Sequence, residues 1–296
     1  MVEQTNPLSK HFRQPAIYIK LPSKGQHSPQ GTVDLGESEE LAVYPMTARD
    51  EMTMNTPDAL MNGQATVDVI KSCVPSIIDP WHLPMMDLDT ILIAIRIASF
   101  GEAMDMTVNV PEVNEKMEFT TDLRTMMDSI PTTSFNEYLR LNNGLTVRVR
   151  PTTYRQLTNL ALRTFEEQRM ITQLSQKDDM TPAQKSEYYT KVFMNMTNLT
   201  IENMLQAIVS INTEGTEVSD ANYIKEFVDN MDSKTANEIR QFIDAQSRDI
   251  GKVKPLKVKT PLEMVEKGAP AEFEVPVSLD NSNFFVSKSS RSNLLS

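Results

Sequence analysis

The sequence predicts an α+β fold, on three observations. Stretches that alternate apolar and polar residues occur near the start, between residues 104 and 150, and again after residue 252. Between them lie segments whose apolar residues recur every three or four positions, the period of a helix with one buried face. Glycine is scarce, 9 residues in 296, against a usual share of about 7%, so a chain made only of tight hairpins or phosphate-cradling loops is excluded.

The elements follow in order. AIYIKLPSKG (16–25) reads as a strand running into a turn at Pro22 and Gly25, then a polar stretch to Glu40, then a second strand at LAVYPM (41–46). Thr47 with Asp50 resembles a helix cap, and Thr56-Pro57-Asp58 is a helix start leading to Leu60, Met61, Val67, Val69, Ile70 and Val74. Two prolines in DPWHLPMMD interrupt this run. Asp89-Thr90 is then expected to open TILIAIRIASFG, apolar nearly all round, a buried central helix closed by Gly101.

MTVNV (106–110) and KMEFT (116–120), separated by PEVNE, predict a hairpin; EYLRLNNGLTVRVR (137–150), with an Asn-Asn-Gly turn, predicts another. Residues 151–250 read as helical. Thr181-Pro182-Ala183-Gln184 combines the hydroxyl, proline and glutamine of a capping box. Val192, Phe193, Met196, Leu199, Met204, Leu205, Ile208 and Val209 keep the spacing of one buried face. Ser233 opens a last helix that Gly251 ends, and strands return at 253–264 and 271–280. This divides the chain into an N-terminal arm with one strand (1–40), an α+β domain with hairpins (41–150), a helical domain (151–251), a β segment expected to pack on the 104–123 hairpin (252–281) and a tail (282–296) ordered only against something else.

Charge and motif content narrow the function. Forty acidic residues stand against 29 basic ones, a net charge of −11, and such a chain repels nucleic acid. Lys252, Lys254, Lys257 and Lys259 form a small basic run, read as a solvated strand face. No leader of the secretory kind opens the sequence, and the longest apolar run (91–100) is too short to cross a bilayer. Cys73 stands alone and is expected to be a buried, inert thiol; the three histidines lack ligand spacing. The acid pairs Asp87/Asp89 and Asp178/Asp179 and the run Glu37 to Glu40 are explained by capping or solvation. None of the dinucleotide, P-loop or serine-hydrolase motifs occurs. We therefore expect no catalytic residue, cofactor or metal ligand. The 19 methionines suit irregular packing and partner surfaces.

The ordered set LPSKG (21–25), VYPMTARDEM (43–52), TPDALMNGQATVDVIKSCV (56–74), ILIAIRIASFG (91–101) and EFEVPVSLDNSNFF (272–285) resembles the baseplate hub and hub-assembly proteins of T-even-type contractile-tail phages. The family often carries a C-P-x-C knuckle after the central helix and sometimes another near the C-terminal strand. Here the first place reads Val110-Pro111-Glu112-Val113 and the second falls at Thr260-Pro261. The resemblance thus implies a zinc-ribbon-like hairpin region without its cysteines, in which Val110 and Val113 fill the vacated volume.

It further implies a structural or assembly component of the hub, acting by protein–protein binding, in the virion baseplate or in the host cytoplasm during assembly. Its partners would be other baseplate, hub or tail-tube proteins, and the tape measure is a further candidate. The chain would be oligomeric in the assembly, with no nucleic acid and no membrane. The expected partner-binding residues are Phe284, Phe285, Phe193, Met196 and Leu199. The alternatives are a tail-assembly chaperone absent from the virion and a cell-wall hydrolase domain of a hub.

Overall fold

A short antiparallel pair, β1 (Ile17–Ile19) and β2 (Leu41–Val43), lies against the central helix α3 (Met85–Phe100). The computed structural model describes residues 6–54, 56, 63–132, 134–175, 181–277, 279 and 282–285. Eleven of the sixteen residues of α3 are buried, as an apolar run without a polar stripe requires. Ile91, Ile93, Ala94 and Ile95 are fully buried, together with Leu41, Val43 and Ile70. Helices α1 (Ala48–Met54) and α2 (Gln64–Cys73) complete this first core. At α1 the capping pair closes reciprocally: Asp50 Oδ2 accepts from the Thr47 amide at 2.8 Å and Thr47 Oγ1 accepts from the Asp50 amide at 3.2 Å. Pro57, Asp58, Leu60 and Met61, placed above in a helix start, lie outside the described residues.

Two expectations are corrected here. Within the stretch expected to be an arm, the described residues 6–40 are tied to the core. Arg13 donates to the carbonyls of Pro45 (2.7 Å) and Ser72 (2.6 Å), and Thr32 O accepts the amides of Ile78 and Asp79. The fork of one guanidinium therefore ties the N-terminal stretch to β2 and α2. Helix α3 begins at Met85, four residues before Asp89. Its two early acids hold distant segments: Asp87 accepts from the Ser23 amide (2.8 Å) and hydroxyl (2.6 Å), and Asp89 accepts from the Val253 amide (3.2 Å).

After α3 the chain forms the hairpin β3 (Ala103–Asn109) and β4 (Lys116–Asp122), with Met106 opposite Phe119, and the short helix α4 (Leu123–Asp128). A second hairpin, β9 (Leu256–Lys259) and β10 (Glu272–Val275) with α9 (Leu262–Glu266) between its strands, shares one small core with it. That core holds Val110, Met117, Val258, Ala269 and Val275, and Val113 packs at its margin. At the other knuckle position Thr260 is buried and its hydroxyl donates to Pro270 O at 2.6 Å.

A four-stranded antiparallel sheet builds the remaining core. It joins β5 (Tyr138–Arg140), β6 (Thr146–Val149), β7 (Ile208–Thr213) and β8 (Thr216–Val218) in that order. Helices α7 (Ala221–Asn230) and α8 (Ser233–Asp249) cover it. Residues 151–251 are consequently not all helical, and Val147 pairs with Ile211 across the boundary drawn at 150/151. Ile208 and Val209 belong to β7, because a β-branched run follows directly on helix α6 (Pro182–Ala207) and adds an inner strand.

Candidate interaction surface

Helices α5 (Tyr154–Ser175) and α6 form a long antiparallel hairpin standing on both large cores. The base of α5 meets the first core through Tyr154, and the end of α6 meets the second through Met204 and Ala207. The capping box is present at the start of α6: Thr181 Oγ1 accepts from the Gln184 amide at 3.3 Å and Gln184 Oε1 accepts from the Thr181 amide at 3.0 Å. Arg163 pairs with Glu202 near the base. Farther out, Asn195 Nδ2 donates to Glu167 Oε1 at 2.8 Å, and Tyr188 donates to the Met170 sulfur at 3.2 Å.

The seam of the outer half is mixed, with Val192 buried (2% exposed) alongside a buried carboxylate. Glu167 is buried between the helices, and its Oε2 finds no hydrogen-bond partner among the described residues. The large apolar side chains face outward: Phe193 is 65% exposed, Met194 62% and Phe165 49%. Phe165 and Phe193 each belong to a helical series that is covered at its lower end, and Met194 adjoins the second. On α5 the series Tyr154, Thr158, Ala161, Phe165 starts buried in the first core. On α6 the series Phe193, Thr197, Ile201, Met204 ends buried in the second. The stripes simply outrun the body.

Two neighbouring cavities of about 250 and 280 Å³ open between α5, α6 and α8, sharing Leu160, Asn203, Ile243 and Asp244. The first reaches Met85 and Met86 at the start of α3. Met196 and Leu199 line the second. They are half-buried in the seam, while Phe193 on the next face is bare, so the expectation of one buried face over these positions is corrected. Phe284 and Phe285 are corrected more sharply. Both are buried in the first core (1% and 4% exposed), with ring centroids 4.9 Å apart and nearly perpendicular. The buried Arg96 guanidinium lies 4.8 Å from the Phe100 ring and 5.7 Å from that of Phe284, a cation–π arrangement that ties Phe284 to α3. Residues 286–296 lie outside the described residues.

The other candidate groups are placed as follows. Burial, followed by the Asp50 charge, pushes the Cys73 thiol up to about 12, which leaves it protonated and unreactive. His82 contacts Asp79 at 2.6 Å and His27 lies 3.1 Å from Glu137. No cluster of three metal-ligating side chains occurs among the described residues. Lys257 stands opposite Glu274 and Lys259 opposite Glu272 across the hairpin, so half of the basic run is matched by acids on its own sheet, while Lys252 pairs with Asp89 of α3.

A family model described as T4 bacteriophage base plate protein matches residues 15–264 of the chain. The chain belongs to this family. The match runs from β1 through the helical hairpin into α9, so it takes in the second core, the exposed stripes and all of the first core except Leu279, Phe284, Phe285 and the partly buried Val277 at its margin. No curated protein and no solved structure matches significantly. As a phage baseplate protein the chain is assigned to the virion tail, among other baseplate proteins. Among its described residues no helix is long and apolar enough to cross a membrane.

Proposed function

We propose that this baseplate protein is a structural or assembly component of the tail hub, acting by protein–protein binding. The observation that carries the reading is the outer half of the helical hairpin, where Phe165, Phe193 and Met194 face outward while the seam between the helices holds Val192 and the Glu167–Asn195 pair. Exposed apolar stripes of this kind mark surfaces that become buried on assembly. Their energy comes from area removed from water, about 25 cal/mol per Å² before the costs of association.

Affinity purification of the tagged chain from infected cells is expected to recover hub and other baseplate proteins; recovery of none overturns the proposal. Mass spectrometry of purified virions separates a resident component, found in stoichiometric amount, from an assembly chaperone that leaves. A zymogram in which the chain clears cell wall would replace the structural reading with the hydrolase one.

A further inference from the structure

We infer that the outer half of the hairpin is a self-association surface, in which the Phe165 face of one copy packs against the Phe193/Met194 face of the next. This rests on the structural reading above and names the partner of that surface: a second copy of the chain.

Three observations select it. First, residues 154–207 carry six basic and six acidic side chains, so the whole net charge of −11 lies elsewhere. Two copies meeting body to body repel each other, whereas two hairpins meet without net charge. A basic partner would be drawn to the body instead. Second, the hairpin has apolar residues on two faces, one on each helix. The α5 stripe leaves the body from the first core and the α6 stripe from the second. A single patch matched to itself gives a two-fold dimer and leaves the other face bare. Two different patches give a head-to-tail contact in which every copy uses both. Third, the patches sit at one height. Glu167 bonds Asn195 across the seam, Phe165 lies within one turn of the former, and Phe193 and Met194 directly precede the latter. Neighbouring copies can therefore stand side by side, and the row closes into a ring if the rotation between copies allows.

The test uses the full purified chain, with sedimentation over about 1 to 100 μM. The wild type is expected to grow with concentration from 33.5 kDa to multiples of that mass. Phe165→Asp alone and the double variant Phe193→Asp/Met194→Asp alone are each expected to remain at one copy. An equimolar mixture of the two is expected to stop at two copies, since only one intact junction can form.

A wild type that stays at one copy throughout overturns the inference, as does assembly that either variant leaves unchanged. Should an aspartate variant fail to fold, Phe165→Cys and Phe193→Cys chains are mixed under oxidation. The native thiol at Cys73 is buried and does not interfere. A disulfide-linked dimer seen only in the mixture supports the inference, and its absence overturns it. The outcome is separable from that of the hub reading. Self-assembly without recovery of baseplate partners leaves this inference standing and removes the hub. Recovery of partners by a wild type that never self-associates does the reverse.

Discussion

A Cβ built on Gly251 would stand 2.1 Å from the Met86 carbonyl oxygen and 2.4 Å from the Met86 Cα. The chain leaving α8 thus crosses the first turn of α3 backbone against backbone, and Asp89 takes the Lys252 ammonium and Val253 amide immediately beyond. Gly251 also has φ +68°, a conformation costly for any residue with a Cβ. Gly251→Ala is expected to cost about 3 kcal/mol or more, since it combines a left-handed backbone with a clash against main chain that cannot move aside. Gly144→Ala is the control. Its φ is +88° but nothing lies within 4 Å, so only the conformational cost of about 1–2 kcal/mol applies. Urea unfolding of the two variants measures the difference.

Asp87 gives a pH prediction. Burial raises its carboxyl from 3.8 to about 6, and the two bonds from Ser23 only partly offset the shift. A carboxyl whose pKa is raised on folding contributes most stability below its unfolded value. That contribution is lost as pH rises between about 4 and 6 and is level above. A shift of this size amounts to about 3 kcal/mol. The stability of Asp87→Asn relative to wild type is expected to improve by about that much from pH 4 to pH 7. Denaturant titrations of both chains at the two pH values provide the measurement, and an unchanged gap would contradict the account.

Truncation separates the aromatic residues that the sequence alone groups together. Phe284→Ala removes a fully buried ring and the face on which Arg96 rests, and is expected to cost about 3–5 kcal/mol. Phe193→Ala removes an exposed ring and should alter the unfolding free energy of the single chain by no more than about 0.5 kcal/mol. Thermal melts at low concentration distinguish them.

The shared core of the two hairpins is apolar where relatives are expected to carry knuckle cysteines. A chelator is accordingly expected to leave the melting temperature unchanged. Val110→Ala, at a position 1% exposed, should cost about 1–2 kcal/mol, and Val113→Ala, at the margin, distinctly less. Calorimetry with and without chelator tests both statements.

Local signals were legible wherever short-range chemistry decides the structure. The Thr47–Asp50 and Thr181–Gln184 caps, the Asn142-Asn143-Gly144 turn and the all-round apolar character of α3 all depend on residues within one or two turns of each other. Strand β7 is hidden in the sequence because IVSINT follows helix α6 without a breaker and its apolar residues continue the helical period. The Glu214-Gly215 turn, both residues at positive φ, was the available signal. The candidate surface was legible only in part. Phe193 stands out as an apolar position on a strong helix, whereas nothing in the sequence marks Phe165 and Met194, because exposure of an apolar residue is not encoded in its spacing.

The sequence by itself determined the mixed fold class, most elements, the acidic surface and the family to be expected. Periodicity, caps and composition are properties of neighbouring residues, and they need no folded partner to be read. Only the tertiary structure decided that Phe284 lies inside, that the N-terminal stretch is stitched to the core by Arg13 and Asp87, and that one sheet joins β6 to β7. Those outcomes depend on which distant surfaces meet, and on where the body ends and leaves the hairpin stripes uncovered.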